Sequence, residues 1–181
     1  MAHYFLSVAL LDLLAVAGEM EVGNGRRGRD EGRGVVVVTS SIASLHNATN
    51  VDMMSYATTK AATDHLVALL ASKFARWYVR VVGINPGCES FSLPTSSPCS
   101  TNRPLLIFVI TVVPSNMNPM GTGSGADIFG NLVQKVPAKR EGDLDDLAGI
   151  VLFLVSKAGA YVDGRFVAID GGRTLFANGQ M

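Results

Sequence analysis

The chain has 181 residues, 48% of them hydrophobic and 17% charged, with 15 Lys and Arg balanced by 15 Asp and Glu. That length fits one domain with a buried core, and the balanced charge excludes the broad basic surface by which proteins grip nucleic acid. Two cysteines, Cys88 and Cys99, make neither a C-x-x-C pair nor a metal-ligand set, which agrees with a reducing compartment.

The opening stretch "MAHYFLSVALLDLLAVAG" has the apolar run and the small-residue Ala15-Val16-Ala17 site of a secretory leader. It lacks a basic start and carries Asp12 inside the run, so residues 4 to 20 are expected to form an amphipathic helix. Neither this run nor "PLLIFVITVV" is long enough to span a bilayer, the latter reading as a buried strand or a hydrophobic insertion, and the expected setting is the cytoplasm with no membrane contact. The segment "GRRGRDEGRG" mixes Arg26, Arg27, Arg29 and Arg33 with Asp30 and Glu31 among glycines, which predicts an exposed turn rather than a phosphate patch. "GVVVVTSSIAS" then reads as a strand buried on both faces, as parallel sheets require.

Residues 53 to 75 predict a long helix with Leu66, Leu69, Leu70 and Phe74 on its apolar stripe, and "YVRVVGINPG" predicts a second strand running into a Pro-Gly turn. In "EGDLDDLAGIVLFLVSKAGAYVDG", Asp143 can cap a helix, Asp145 and Asp146 suit its first turn, and Gly159 can end it. The expected buried stripe there is Leu144, Leu147, Ile150, Val151 and Leu154, and "GRFVAIDGG" closes the pattern as a third strand. Strands alternating with long helices predict an α/β fold with a parallel sheet, whose ligands collect at the carboxyl ends of the strands. Ser40, Ser41, Pro86 and Gly87 fall at those ends.

Tyr56 and Lys60 are spaced i, i+4 on the long helix, so the phenol and the ammonium share one face. A cation beside a phenol favours its ionised form, which suits proton transfer near neutral pH. Taken alone such a pair is usually a packed tyrosine and a solvated lysine. The order of parts is more specific: a strand ending in Ser41, a helix with Tyr56 and Lys60, a strand ending in "NPG", and a closing "DGG".

This ordered set resembles the C-terminal half of a short-chain dehydrogenase/reductase, over about residues 4–87 and 114–175. The stretches "VVVVTSSIASLHN", "SYATTKAATDHL" and "VRVVGINPG" look most like the 3-oxoacyl-carrier-protein reductases of the rhamnolipid type. The resemblance implies NAD(P)-dependent interconversion of a small carbonyl and alcohol, here a 3-oxoacyl thioester, with NADP or NAD as cofactor and no metal. It implies Tyr56 as general acid and base, Lys60 as its activator and a ligand of the nicotinamide ribose, and Ser41 as the group holding the substrate oxygen. Ser44 stands as a second candidate for that serine, and Pro86 and Gly87 would carry backbone to the nicotinamide ring. Homo-oligomers built through the Tyr-x-x-x-Lys helix are also implied. His46 has no partner in the pattern and receives no role.

The sequence departs from the family in three places. The glycine-rich turn that holds the dinucleotide has no counterpart before Ser41, and the position of a family asparagine falls just outside Met1. The expectation is therefore a partial Rossmann-like, doubly wound sheet in a single truncated domain over 1–181, lacking the N-terminal dinucleotide-binding half. "GTGSGA" at Gly121 to Ala126 fits G-x-G-x-x-A with Glu141 downstream, but "PSNMNPM" separates it from any strand, so it reads as a substrate-loop segment. Residues 88–113, rich in Ser, Pro, Leu and Phe, read as an insertion of the kind a retained intron would add, between units 1–87 and 114–181. An alternative follows: an inactive fragment that serves only oligomerisation or interaction.

Overall fold

A computed structural model describes residues 2–45, 54–87, 107–110, 136–140 and 142–176. The expected first helix is two, α1 (Ala2–Ala9) and α2 (Leu11–Glu19), with a 52° bend between them. Backbone bonds from Leu10 N to Leu6 O and from Leu14 N to Leu10 O carry the chain through the bend. Past it, Leu10, Leu11, Leu14 and Ala15 turn onto the core. No single helix among the described residues is long and apolar enough to cross a membrane.

The glycine and arginine segment folds as a small antiparallel hairpin, β1 (Glu21–Gly23) and β2 (Arg26–Arg27). Asn24 and Gly25 form its tip at φ 53° and 71°, the left-handed geometry that a two-residue hairpin turn needs. Its arginines are met by carboxylates, Arg26 by Glu31 and Arg29 by Glu19 at 2.8 Å, while the Arg29 guanidinium also lies 4.0 Å above the Tyr78 ring. The segment is thus an ion-paired turn.

The valine run forms β3 (Val35–Thr39), every residue of it buried. After α3 (Met54–Phe74) comes β4 (Arg80–Pro86), then β5 (Ile107–Ile110), α4 (Leu144–Val155), β6 (Phe166–Ile169) and the short α5 (Arg173–Phe176). Four strands make one sheet in the order β5-β3-β4-β6, every neighbouring pair parallel. The α/β class with a parallel sheet is as the sequence predicts. β5 belongs to residues 88–113, and it pairs with β3 from Val35 opposite Ile107 to Val38 opposite Ile110. Part of the expected insertion is therefore a sheet strand, whose apolar, β-branched character suits that place.

The alternating faces of β3 and β4 divide the core. Val36, Val38, Val79 and Val81 pack with Leu14 and with Val67, Leu70, Ala71 and Phe74 of α3. Val35, Val37, Val82 and Ile84 pack with Leu147, Leu154 and Val155 of α4 on the other side. Each such fully buried aliphatic or aromatic side chain contributes about 1.5–3 kcal/mol relative to exposure.

Three details correct the sequence reading. Leu69 is 54% exposed, because the buried line of α3 runs through Asp64, Val67, Leu70, Ala71 and Phe74 and turns Leu69 outward. Leu144 is also exposed, since the first residue of α4 precedes the helix's contact with the sheet. Gly159 does not end α4, which stops at Val155 before a 3-10 turn over Lys157–Gly159. Asp143 caps α4 as expected, accepting from Asp146 N while the Asp146 side chain accepts from Asp143 N. Arg140 donates to both Asp146 oxygens and holds that carboxyl well below the usual carboxylate range, the hydrogen bond being the largest cause. His46, Cys88, Cys99, Glu141 and the Gly121–Ala126 segment lie outside the described residues.

Candidate active site

The site is built where β3 and β4 end and α3 begins its first two turns. The fully buried β3 ends at Thr39, Ser40 stays buried, Ser41 is partly exposed, and a 3-10 turn over Ile42–Leu45 follows at once. Ser40 N donates to Ile84 O at 2.8 Å, so the parallel pairing continues to the residue before Ser41. Tyr56 and Lys60 lie half-buried on one face of α3, as their spacing predicts.

Two reciprocal bonds lock α3 onto the strand end. Ser40 Oγ donates to the Lys60 backbone carbonyl at 3.1 Å, and Lys60 Nζ donates to Ser40 O at 3.2 Å. The ammonium is also 5.6 Å from the centre of the Tyr56 ring, within cation–π range. Among the described residues the Tyr56 hydroxyl makes no hydrogen bond, so it is available to a reacting group.

Ser41 and Ser44 have different hydrogen-bonding duties. The Ser44 hydroxyl gives its one hydrogen to Ser41 O at 2.8 Å and accepts from Asn85 Nδ2 at 3.0 Å. Ser41 Oγ accepts from Ala43 N at 3.1 Å, and its own hydrogen has no acceptor among the described residues. The geometry therefore favours Ser41 over Ser44 as a donor to a bound molecule.

Pro86 and Gly87 complete the floor, with Gly87 N donating to Ile169 O at 2.8 Å. A Cβ on Gly87 would sit 3.0 Å from Asp170 Cα and 3.1 Å from Asp170 Cβ, closer than van der Waals contact allows, so glycine keeps the turn against β6. Sequence reasoning placed Ser40 at the strand end without a role and passed over Asp64 and Asn85, all three buried here. Asp64 had a signal: it continues the Tyr56, Lys60 line by another four residues and puts an acid on a helix face that packs inward. His3 of α1 also approaches this end, and its imidazole is pushed below its usual value by burial first and by the Lys60 charge second.

A family model described as "short chain dehydrogenase" matches residues 15–94, the span that contains Ser40, Ser41, Tyr56, Lys60, Asp64, Asn85, Pro86 and Gly87. Over that span the chain is similar to the short-chain dehydrogenase/reductase family. Among its curated relatives, the 7alpha-hydroxysteroid dehydrogenase of Escherichia coli (strain K12) is 29% identical over 157 residues, covering 87% of this chain and 48% of the relative. The short-chain dehydrogenase/reductase SAT3 of Stachybotrys chartarum is 26% identical over 176 residues, covering 94% of this chain and 56% of the relative. The chain thus spans about half the length of the curated relatives it matches. A solved 7 alpha-hydroxysteroid dehydrogenase, complexed with NADH and 7-oxo glycochenodeoxycholic acid, superposes with a TM-score of 0.62 at 24% identity, over 94% of this chain and 51% of that one, which shows a shared fold.

Members of this family use a nicotinamide dinucleotide, and the donor set at the strand ends fits one end of it. The Lys60 ammonium retains N–H groups beyond its bond to Ser40 O, suited to a ribose hydroxyl. Among the described residues there is no G-x-G-x-x-G turn from a strand into a helix to receive the pyrophosphate. Nor do the described residues gather three or more His, Cys, Asp or Glu into a group able to hold a metal ion.

Proposed function

We propose that the chain interconverts a small-molecule carbonyl and its alcohol in an NAD(P)-dependent reaction, with Tyr56 as general acid and base. The observation that carries this reading is Lys60, pinned by Ser40 O at 3.2 Å and facing the Tyr56 ring at 5.6 Å. A bound nicotinamide dinucleotide would supply or accept the hydride. In the reducing direction the Tyr56 hydroxyl passes its proton to the substrate oxygen, and the adjacent Lys60 ammonium stabilises the phenolate left behind. The Ser41 hydroxyl donates to the same substrate oxygen and orients it. Tyr56, Lys60, Pro86 and Gly87 form the nicotinamide end of the cofactor site. The residue-level resemblance favours a 3-oxoacyl thioester as substrate, and the name of one relative adds a hydroxysteroid or its ketone to the trial set.

The test is a titration of NADPH and NADH into the purified chain, followed by nicotinamide fluorescence, and then turnover with both substrate classes. Saturable binding and ketone reduction are expected. Tyr56→Phe should cut turnover by about 10²–10⁴-fold while leaving the melting temperature nearly unchanged. Wild-type turnover that survived this change would refute the role of Tyr56.

A second reading is supported by a different observation. Phe5, Leu13 and Val16 on α1 and α2, and Leu69 on α3, are exposed apolar groups of the sort that another subunit covers. We propose homo-oligomerisation through the α3 side of the molecule, and in the non-catalytic alternative this association is the whole function. A sedimentation experiment showing oligomers that bind neither dinucleotide would favour that alternative.

A further inference from the structure

Beneath the two serines lies a buried pair that the reaction above leaves unused. Asn85, fully buried at the end of β4, points its Nδ2 at three acceptors: Asp64 Oδ2 at 2.9 Å, Ser44 Oγ at 3.0 Å and Ser41 O at 3.2 Å. Asp64 is 9% exposed and comes from the middle of α3. The pair therefore joins three separate pieces of chain, namely the helix bearing Tyr56 and Lys60, the strand ending in Pro86-Gly87, and the serine turn.

The chemistry of the partners fixes the direction of the bonds. Ser41 O can only accept, so the amide nitrogen rather than the amide oxygen of Asn85 faces the turn. With its lone pair taken by Asn85, Ser44 sends its hydrogen to Ser41 O, which also accepts from Ser44 N at 3.1 Å. The turn is thereby held in the form in which Ser41 Oγ receives Ala43 N and keeps its own hydrogen to give away. An apolar side chain at Asn85 would leave the Ser44 hydroxyl and Asp64 buried without this donor, an unfavourable arrangement that the turn can relieve by opening.

We propose that Asn85, oriented by Asp64, is a positioning residue that sets the serine turn and makes Ser41 the hydroxyl offered to the substrate oxygen. This rests on the reaction proposed above for its catalytic consequence, but the clamp itself has an independent readout. Amide hydrogen exchange of residues 41–45, followed by NMR on the full chain, should quicken at least tenfold in Asn85→Leu and in Asp64→Leu, with the amides of β3 unchanged. Asp64→Asn keeps an acceptor for Asn85 and should leave that exchange within about twofold of wild type, which also covers the case in which the leucine variants do not fold. Unaltered exchange in a folded Asn85→Leu chain, or quickened exchange in Asp64→Asn, would overturn the clamp.

Kinetics then test its purpose. Asn85→Leu should lower kcat for ketone reduction about tenfold without altering the nicotinamide KM, and Ser41→Ala added to it should cause little further loss, because both changes remove the same donor. Full additivity of the two changes would overturn the positioning role even if the exchange result held. A wild-type chain with no turnover would defeat the proposed reaction and the catalytic purpose together, while the exchange data would still decide the clamp.

Discussion

The two ends of β3 and β4 are finished in opposite ways. At the amino end, Arg80 is buried and donates through both terminal nitrogens to four main-chain carbonyls, Gly32 and Leu154 at 2.8 and 3.0 Å and Gly159 and Val162 at 2.9 Å each. Burial pushes its guanidinium below the ordinary arginine value, with Asp163 pulling the other way. At the carboxyl end the polar groups are hydroxyls, an amide and an acid, and the hydroxyls of Tyr56 and Ser41 have hydrogens to spare. One end spends its hydrogen bonds on closing the fold. The other leaves some without an acceptor among the described residues, at the strand ends where parallel sheets commonly bind ligands.

The comparison is broken most severely by Arg80→Leu. Four carbonyls lose their donor, and roughly 3 kcal/mol or more of stability should go with them. Urea unfolding would show it as a lower midpoint, while nicotinamide binding in the fraction that stays folded should persist. A variant as stable as wild type would show that the clamp at the amino end is dispensable.

Gly32→Ala probes the same end through backbone geometry. Gly32 has φ 80°, and an added Cβ would lie 2.4 Å from Ser156 O, so strain and overlap coincide. A loss of about 1–3 kcal/mol is expected, visible as a fall in melting temperature. Asp143→Ala acts at the start of α4, the helix whose other end Arg80 grips. Loss of the cap should cost about 1 kcal/mol in denaturant titrations, with no change in kcat.

The smallest expected effect sharpens the electrostatics of the carboxyl end. His3 should titrate below the ordinary histidine value near 6.5, measured on its imidazole protons by NMR. Because its folded-state value is depressed, the contribution of neutral His3 to stability is complete above the unfolded value and is lost as pH falls through that value towards the folded one. Lys60→Met should raise the His3 value only in part, since burial is the larger cause. No rise at all would mean that the ammonium does not face His3.

Much of this was legible in particular residues. The valine run gave a buried parallel strand, Asp143 gave a helix start, and the Tyr56 to Lys60 spacing placed two groups on one face. The bend after Ala9 was not legible, because no proline or glycine marks it and only packing of Leu14 on the core distinguishes its two sides. Nor was the difference in hydrogen bonding between Ser41 and Ser44, which are both short hydroxyl residues near a strand end. It turns on Asn85, 41 residues further along the chain than Ser44.

Local patterning, then, determined the element types, the parallel sheet and the shared face of Tyr56 and Lys60, because period and capping act over a few residues. Tertiary structure alone decided that the apolar segment at Ile107–Ile110 pairs with β3 and that Arg80 is a buried clamp rather than a surface charge. It also decided that Asp64 and Asn85 meet beneath the serine turn. Such pairings join residues far apart in the chain, and which donor reaches which acceptor is settled only when the strands and helices have packed.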